Sequence, residues 1–210
     1  MSRAIWNSLR IVVGAEALTL GLGFLAAYAV ARIPVRLARW VEVYFGLGFL
    51  IPAFAVLVPV FLLAARTGIL YKASYLVAFY SAARLPLTII VLASHMREIP
   101  TELEECAQID GANILQIIRH IFFPLTRSGI VTVMVLNFLD VWNEYLFALV
   151  LLKKDNRTVQ LALPLLRSER LIDYGLVAAG IVISLLPVYV VFVAFQERIA
   201  KGMLGGAVKG

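Results

Sequence analysis

The chain has 210 residues, of which 62% are apolar and only 15% charged. A soluble domain is about half apolar and about a quarter charged, so the composition points to a membrane protein. The formal charge is +6, but Lys and Arg are scattered between apolar runs with no basic stripe, which argues against nucleic acid, and the single cysteine, Cys106, excludes an intrachain disulfide or a cysteine-rich metal site.

Five apolar runs reach the roughly 20 residues that a helix needs to cross a bilayer. They are Ile11–Ala31, Val43–Ala65, Ala73–Met96, Gly129–Leu152 and Tyr174–Phe195. The first follows Arg3 and Arg10 as a signal peptide would, but Glu16 interrupts it and its length exceeds the usual apolar region, so it reads as a span. The second carries Pro52 and Pro59, the third Arg84 and Pro86, and the fifth Pro187. Each proline removes a backbone donor, which predicts kinked helices. Counting Lys and Arg on either side of these spans gives a tie, so the positive-inside rule does not orient the chain.

Between the third and fourth runs lies TELEECAQIDGAN, residues 101–113, with four acidic residues before a glycine corner. Ile99-Pro100 ends the preceding helix, because proline disfavours a helical residue before it. Thr101 with Glu104 three residues on predicts a capping box, and Glu102, Glu104 and Glu105 fall where the helix dipole favours anions. Asp110-Gly111 ends that short helix, since glycine takes the left-handed conformation at little cost. A second helix starts near Asn113, with Ile114, Ile117, Ile118, Ile121 and Phe122 on one stripe, and Pro124 breaks it. The second helix suits a membrane surface, whereas the clustered glutamates of the first are repelled by acidic headgroups. A protein partner with basic residues is the better match for them. Cys106 itself reads as a small apolar filler.

In the fourth run, Asn137, Asp140 and Glu144 share one helical face, with Asn143 beside them. Trp142 and Tyr145 lie close by. Charged groups inside spans face a bundle interior or a wet cavity. Two readings of the seam stand side by side: a path lined by hydroxyl-binding carboxylates and amides, or polar glue between helices. His95, at a span end with no second histidine at metal spacing, reads as a structural residue. The stretch from Lys153 to Asp173 reads either as a connector or as a contact surface, and the tail from Gly202 to Gly210 is rich in glycine.

Glu105-Cys106-Ala107, three residues, Gly111, nine residues, then Ile121-Phe122-Phe123-Pro124 resembles the EAA motif of permease subunits in binding-protein-dependent ABC importers. Against that pattern Cys106 stands for an alanine and Phe123 for a leucine, both keeping the position apolar. Asn7-Ser8-Leu9, Ile109-Asp110-Gly111-Ala112, Trp142-Asn143-Glu144 and the ending Gly206-Ala207-Val208-Lys209-Gly210 resemble the maltose-type carbohydrate permeases. The resemblance covers nearly the whole chain. It implies an all-α membrane protein of the type I importer fold, a single transmembrane domain over 1–210 that starts just before the second helix of the usual six-helix core and so lacks the first. It also implies an external N-terminus and a cytoplasmic coupling loop over about 97–127, in which Glu104, Glu105, Cys106, Ala107, Asp110, Gly111, Ala112 and Pro124 meet an ATPase.

The partners so implied are a second permease subunit, an ATPase dimer, an extracytoplasmic sugar-binding protein and the lipid of a bacterial or archaeal cytoplasmic membrane. This chain would bind no cofactor. ATP and Mg would be used by the ATPase, in keeping with the absence of a Gly-x-x-x-x-Gly-Lys-Ser/Thr stretch here. The expected activity is ATP-driven import of a sugar or oligosaccharide. Other readings are a permease for a polyamine or sugar phosphate, a non-transporting assembly subunit, or an intramembrane enzyme using Asp140 and Glu144 as acid and base. Against the enzyme, no nucleophile or histidine cluster accompanies the two carboxylates.

Overall fold

The computed structural model describes residues 1–166 and 174–207, so parts of the 153–173 stretch and of the glycine-rich tail lie outside the described residues. Every regular element among the described residues is helical. Helix α1 covers Ser2–Arg32, α2 Val35–Leu47, α3 Ala53–Arg66 and α4 Ala73–Arg97. Helix α5 is the acidic segment, Thr101–Ile109. Next come α6 (Ile114–Ile117), a π-helical turn (Ile118–Phe122) and α7 (Phe123–Leu125). Then follow α8 (Arg127–Asn143), α9 (Leu146–Leu151), α10 (Val159–Ala162) and α11 (Tyr174–Ala207).

Among the described residues, three helices are long and apolar enough to cross a bilayer: Ser2–Arg32, Ala73–Arg97 and Tyr174–Gln196. A fourth is reached if Ile114–Leu125 and Arg127–Asn143, bent by 76° at their junction, count as one broken span. The second and fourth expected runs are not continuous helices. Pro52 cannot donate a backbone bond and holds Ile51 out of the helical region, so Val43–Ala65 divides between α2 and the 14-residue α3. At 1.5 Å per residue α3 extends only about 21 Å, short of the ~30 Å hydrocarbon core. The fourth run breaks at Glu144-Tyr145, between α8 and α9. By contrast α3, α4 and α11 run on through Pro59, Pro86 and Pro187.

The chain forms two compact units. The first comprises Met1–Leu18, Ile51–Ala83 and Val135–Ala194. Its core gathers Ile11, Val12, Ala15, Leu76, Tyr80, Trp142, Phe147 and Leu151. Trp142 is fully buried, stacks on Phe138, and donates its indole N–H to the Ser184 carbonyl at 3.1 Å. Ser81 Oγ donates to the Ala15 carbonyl at 3.1 Å, a side-chain bond between helices that suits an apolar medium. Residues 153–166 are ordered, not a loose connector. Asn7 Nδ2 donates to the carbonyls of Asp155 and Arg157, each at 3.2 Å, and Ser8 Oγ accepts from Val159 N–H at 2.9 Å. This gives a physical role to the Asn7-Ser8 pair: it staples that segment to the start of α1.

The second unit comprises Thr19–Leu50, Arg84–Met134 and Phe195–Gly210. Its core gathers Phe24, Ala27, Tyr28, Leu92, Met96, Ile117, Phe122 and Val133. Helices associate in lipid by close packing rather than by escape from water, so small residues mark the contacts. A Cβ at Gly23 would lie 2.7 Å from the Thr88 methyl, and one at Gly129 would lie 2.9 Å from the His95 ring. His95 hydrogen-bonds through Nδ1 to the Val91 carbonyl at 2.9 Å, which makes it a packing residue of α4, as expected. Gly129→Leu is therefore expected to destabilise the fold by about 1–3 kcal/mol, because the packed ring must move. A lowered thermal midpoint of the detergent-solubilised protein checks this, and an unchanged midpoint would show the contact to be loose.

Many large apolar side chains stay exposed along α11, among them Leu185, Tyr189, Val190 and Phe192. An exposed apolar face of that extent fits a bilayer or neighbouring subunits, not water.

Candidate functional site: the acidic helix and its glycine corner

Helix α5 has no buried residue. It carries Glu102, Glu105 and, at its C-cap, Asp110 exposed together with exposed Leu103 and Ile109, the latter 85% exposed. Just past the corner, Ile114 and Leu115 are exposed as well. A mixed acidic and apolar surface of this kind is the composition of a protein contact: apolar groups gain by burial, and charges select the partner. Cys106 is exposed too, so it is part of this surface and not the apolar filler expected from the sequence.

The corner is built by Gly111, whose φ is +83°. Its N–H donates to the Gln108 carbonyl at 3.0 Å, and Ala112 N–H donates to the Ala107 carbonyl at 2.9 Å. These two bonds are the Schellman arrangement that satisfies the last carbonyls of a helix. A Cβ added at this position would meet no atom within 4 Å, so the requirement for glycine is one of backbone conformation and not of space.

The capping box lies elsewhere than expected. Pro100 occupies the N-cap of α5 and no side chain caps that helix, so Thr101 is already its first helical residue. The box forms at the next helix. Asn113 Oδ1 accepts from Gln116 N–H at 3.0 Å, and Gln116 Oε1 accepts from Asn113 N–H at 2.8 Å. The Asn-x-x-Gln spacing carried that signal in the sequence. Glu104, freed from capping, accepts from Tyr28 Oη and from Arg32 Nε, the latter at 2.7 Å.

Beyond the corner, Ile117 and Phe122 are buried and Ile118 and Ile121 half-buried, so most of the expected stripe faces the core. Ile114 does not, because it sits in the first turn beside the exposed corner. The π-helical turn Ile118–Phe122 also shifts the phase of the stripe from a regular helix. Pro124 is half-buried in α7, and Thr126 Oγ1 donates to the Phe122 carbonyl where the chain bends into α8. Ala107 and Ala112 are half-buried against the core of this unit.

The seam in α8 is less uniform than its spacing suggests. Asn137 is buried, while Asp140 and Asn143 are exposed. Asn143 Nδ2 donates back to the Leu139 carbonyl at 2.8 Å, and its Oδ1 accepts from Gln160 Nε2 at 3.3 Å. Glu144 lies beyond the end of the helix. It accepts from Phe147 N–H at 2.8 Å and Ala148 N–H at 3.0 Å, and from Tyr80 Oη. Its carboxylate satisfies the orphan donors of α9, the usual need at a helix start. Trp142, which lies close to the seam in the sequence, is a core residue. Among the described residues no three His, Cys, Asp or Glu side chains are placed to hold a metal ion.

The family model described as "Binding-protein-dependent transport system inner membrane component" matches residues 19–205. The trehalose transport system permease of Mycobacterium tuberculosis is 34% identical over 215 residues, covering 100% of this chain and 77% of that protein. The melibiose/raffinose/stachyose import permease of Bacillus subtilis is 33% identical, covering 95% of this chain and 74% of that one. Among solved structures, a bacterial ABC transporter involved in import of the acidic polysaccharide alginate superposes with a TM-score of 0.79 at 24% identity, over 93% of this chain and 74% of that one, a likeness of fold. The chain is a multi-pass membrane protein and belongs to the family of inner-membrane components of binding-protein-dependent transport systems.

Proposed function

We propose that this chain is the membrane-spanning subunit of an importer that moves a sugar or oligosaccharide, delivered by an external binding protein and driven by a separate ATPase. The observation that carries the reading is the exposed finger formed by α5 and the Gly111 corner. It is acidic and apolar at once, stiffened by a Schellman cap on one side and a capping box on the other. Glu105 and Asp110 supply the charge, Cys106 lies on the exposed surface between them, and Gly111 fixes the angle. Ala107, Ala112 and Pro124 seat the loop on the cytoplasmic end of the bundle. ATP and Mg belong to the partner in this scheme. Nucleotide closes the ATPase pair, the finger moves with it, and the spans shift between two accessible states. The sugar assignment draws on the names of the relatives, which are sugar permeases. Asn137, Asp140 and Asn143 are retained as candidate path residues, with Glu144 assigned to holding α9.

Purifying the tagged chain from its native membrane tests this. It is expected to bring down an ATP-hydrolysing subunit and a second permease, and the reconstituted assembly is expected to accumulate labelled sugar with its binding protein. A chain that purifies alone, with no ATPase at any detergent strength, would overturn the reading.

A further inference from the structure

Helix α5 shares a carboxylate with the end of α1. Tyr28 and Arg32 are one helical turn apart on α1 and so share a face. Tyr28 Oη donates to Glu104 Oε1, and Arg32 Nε donates to Oε2 at 2.7 Å, so each oxygen of Glu104 is held by a different residue of α1. Arg32 Nη2 also reaches the Ile99 carbonyl at 3.4 Å, at the turn that joins α4 to α5. Its guanidinium lies 4.7 Å from the centroid of the Phe122 ring, and Tyr28 meets the same ring edge-on at 4.8 Å. The Arg32 and Glu104 side chains are only 18% and 13% exposed. A half-buried, charge-assisted pair with both carboxylate oxygens filled is far stiffer than a surface ion pair. The neighbouring Glu102 and Glu105 are exposed, so within this cluster the sequence divides one acidic residue facing inward from others facing out.

We infer that Tyr28, Arg32 and Glu104 are positioning residues that pass a displacement of α5 into α1, so that the first helix is moved directly and not only through the covalent link from α5 back to α4. The inference rests on the proposed importer role. Its physical basis is that coupling between sites is carried by packed side chains and by hydrogen-bonded ion pairs that join rigid helices. Helix α5 buries no residue, so without this knot it is attached mainly by its ends and by the half-buried Ala107.

The test uses the whole importer in proteoliposomes and reads sugar taken up per ATP hydrolysed. Glu104→Gln and Arg32→Gln are expected to lower that ratio by about five-fold or more, a typical size for a coupling energy. The ATPase should remain in the complex at its normal amount. The reversed pair Arg32→Glu with Glu104→Arg is expected to recover most of the ratio, which a purely structural role would not require. Should the charge variants fail to fold into the membrane, Tyr28→Phe carries the test. Losing one neutral-to-charged hydrogen bond is expected to lower the ratio at least about two-fold. An unchanged ratio in the assembled variants overturns the inference, as does loss of the ATPase on Glu104→Gln, which would make Glu104 a docking residue. If the wild-type chain itself recruits no ATPase, the importer reading fails first, and that result is distinct from a working importer whose variants couple normally.

Discussion

Gly111→Pro is expected to abolish solute uptake while leaving the chain in the membrane at its normal level. Proline fixes φ near −65°, whereas Gly111 sits at +83°. The substitution also removes the N–H that donates to Gln108, one of the two bonds that close α5. Both changes redirect α5 relative to α6, and a local cost of about 3 kcal/mol or more makes the native corner a minor state. Uptake should then fall by about a hundred-fold, since each 1.4 kcal/mol is a factor of ten. Gly111→Ala separates conformation from size. A Cβ has open space around it, so the penalty reduces to the left-handed backbone, about 1–2 kcal/mol. A partial defect is therefore expected, with ATP hydrolysis less affected than uptake. Normal uptake by the proline variant would show that the corner has no part in transport.

The second large effect is expected at Glu105. This carboxylate is exposed on a helix that buries nothing, so reversing its charge leaves the chain's own packing intact. In a complementary interface, however, a like-charge juxtaposition costs several kcal/mol. Glu105→Arg is therefore expected to reduce the ATPase recovered with the tagged chain by about ten-fold or more at low salt. Glu105→Gln should cause a smaller loss that varies less with salt, because it removes attraction without adding repulsion. Equal recovery from wild type and the Arg variant would remove Glu105 from the interface. The contrast with Glu104 is the informative part. Two adjacent glutamates are expected to fail in different ways, one in docking and the other in the uptake obtained per ATP.

Much of the finger is legible in residues 99–124 alone, because its signals are local. Ile99-Pro100 marks one boundary, Asp110-Gly111 the corner, and the spacing of Ile117, Ile118, Ile121 and Phe122 the buried side of the second helix. Thr101 with Glu104 fits the capping-box pattern, yet Pro100 already fills the N-cap, and Asn113 with Gln116 fits equally well. Span continuity is less legible, for hydropathy sums apolar character and does not register where the backbone breaks. Val43–Ala65 is apolar throughout, yet Pro52 divides it. Gly129–Leu152 is apolar enough, yet the helix stops at Asn143 and Glu144 restarts it. The roles of Glu104 and Glu144 are hidden for another reason: each depends on a hydroxyl or guanidinium more than 60 positions away, Tyr28 and Arg32 for the first and Tyr80 for the second. The one-turn spacing of Tyr28 and Arg32 says that they share a face, but nothing local names what that face meets.

Cys106 gives the most direct measurement, since it is the only cysteine in the chain and lies exposed on the finger. A membrane-impermeant maleimide applied to intact cells is expected to leave it unlabelled. The same reagent applied to inverted vesicles is expected to label it, more strongly once the ATPase has been stripped away. Labelling in intact cells, with protection in sealed inverted vesicles, would put the finger on the opposite side of the membrane from any nucleotide and contradict the account.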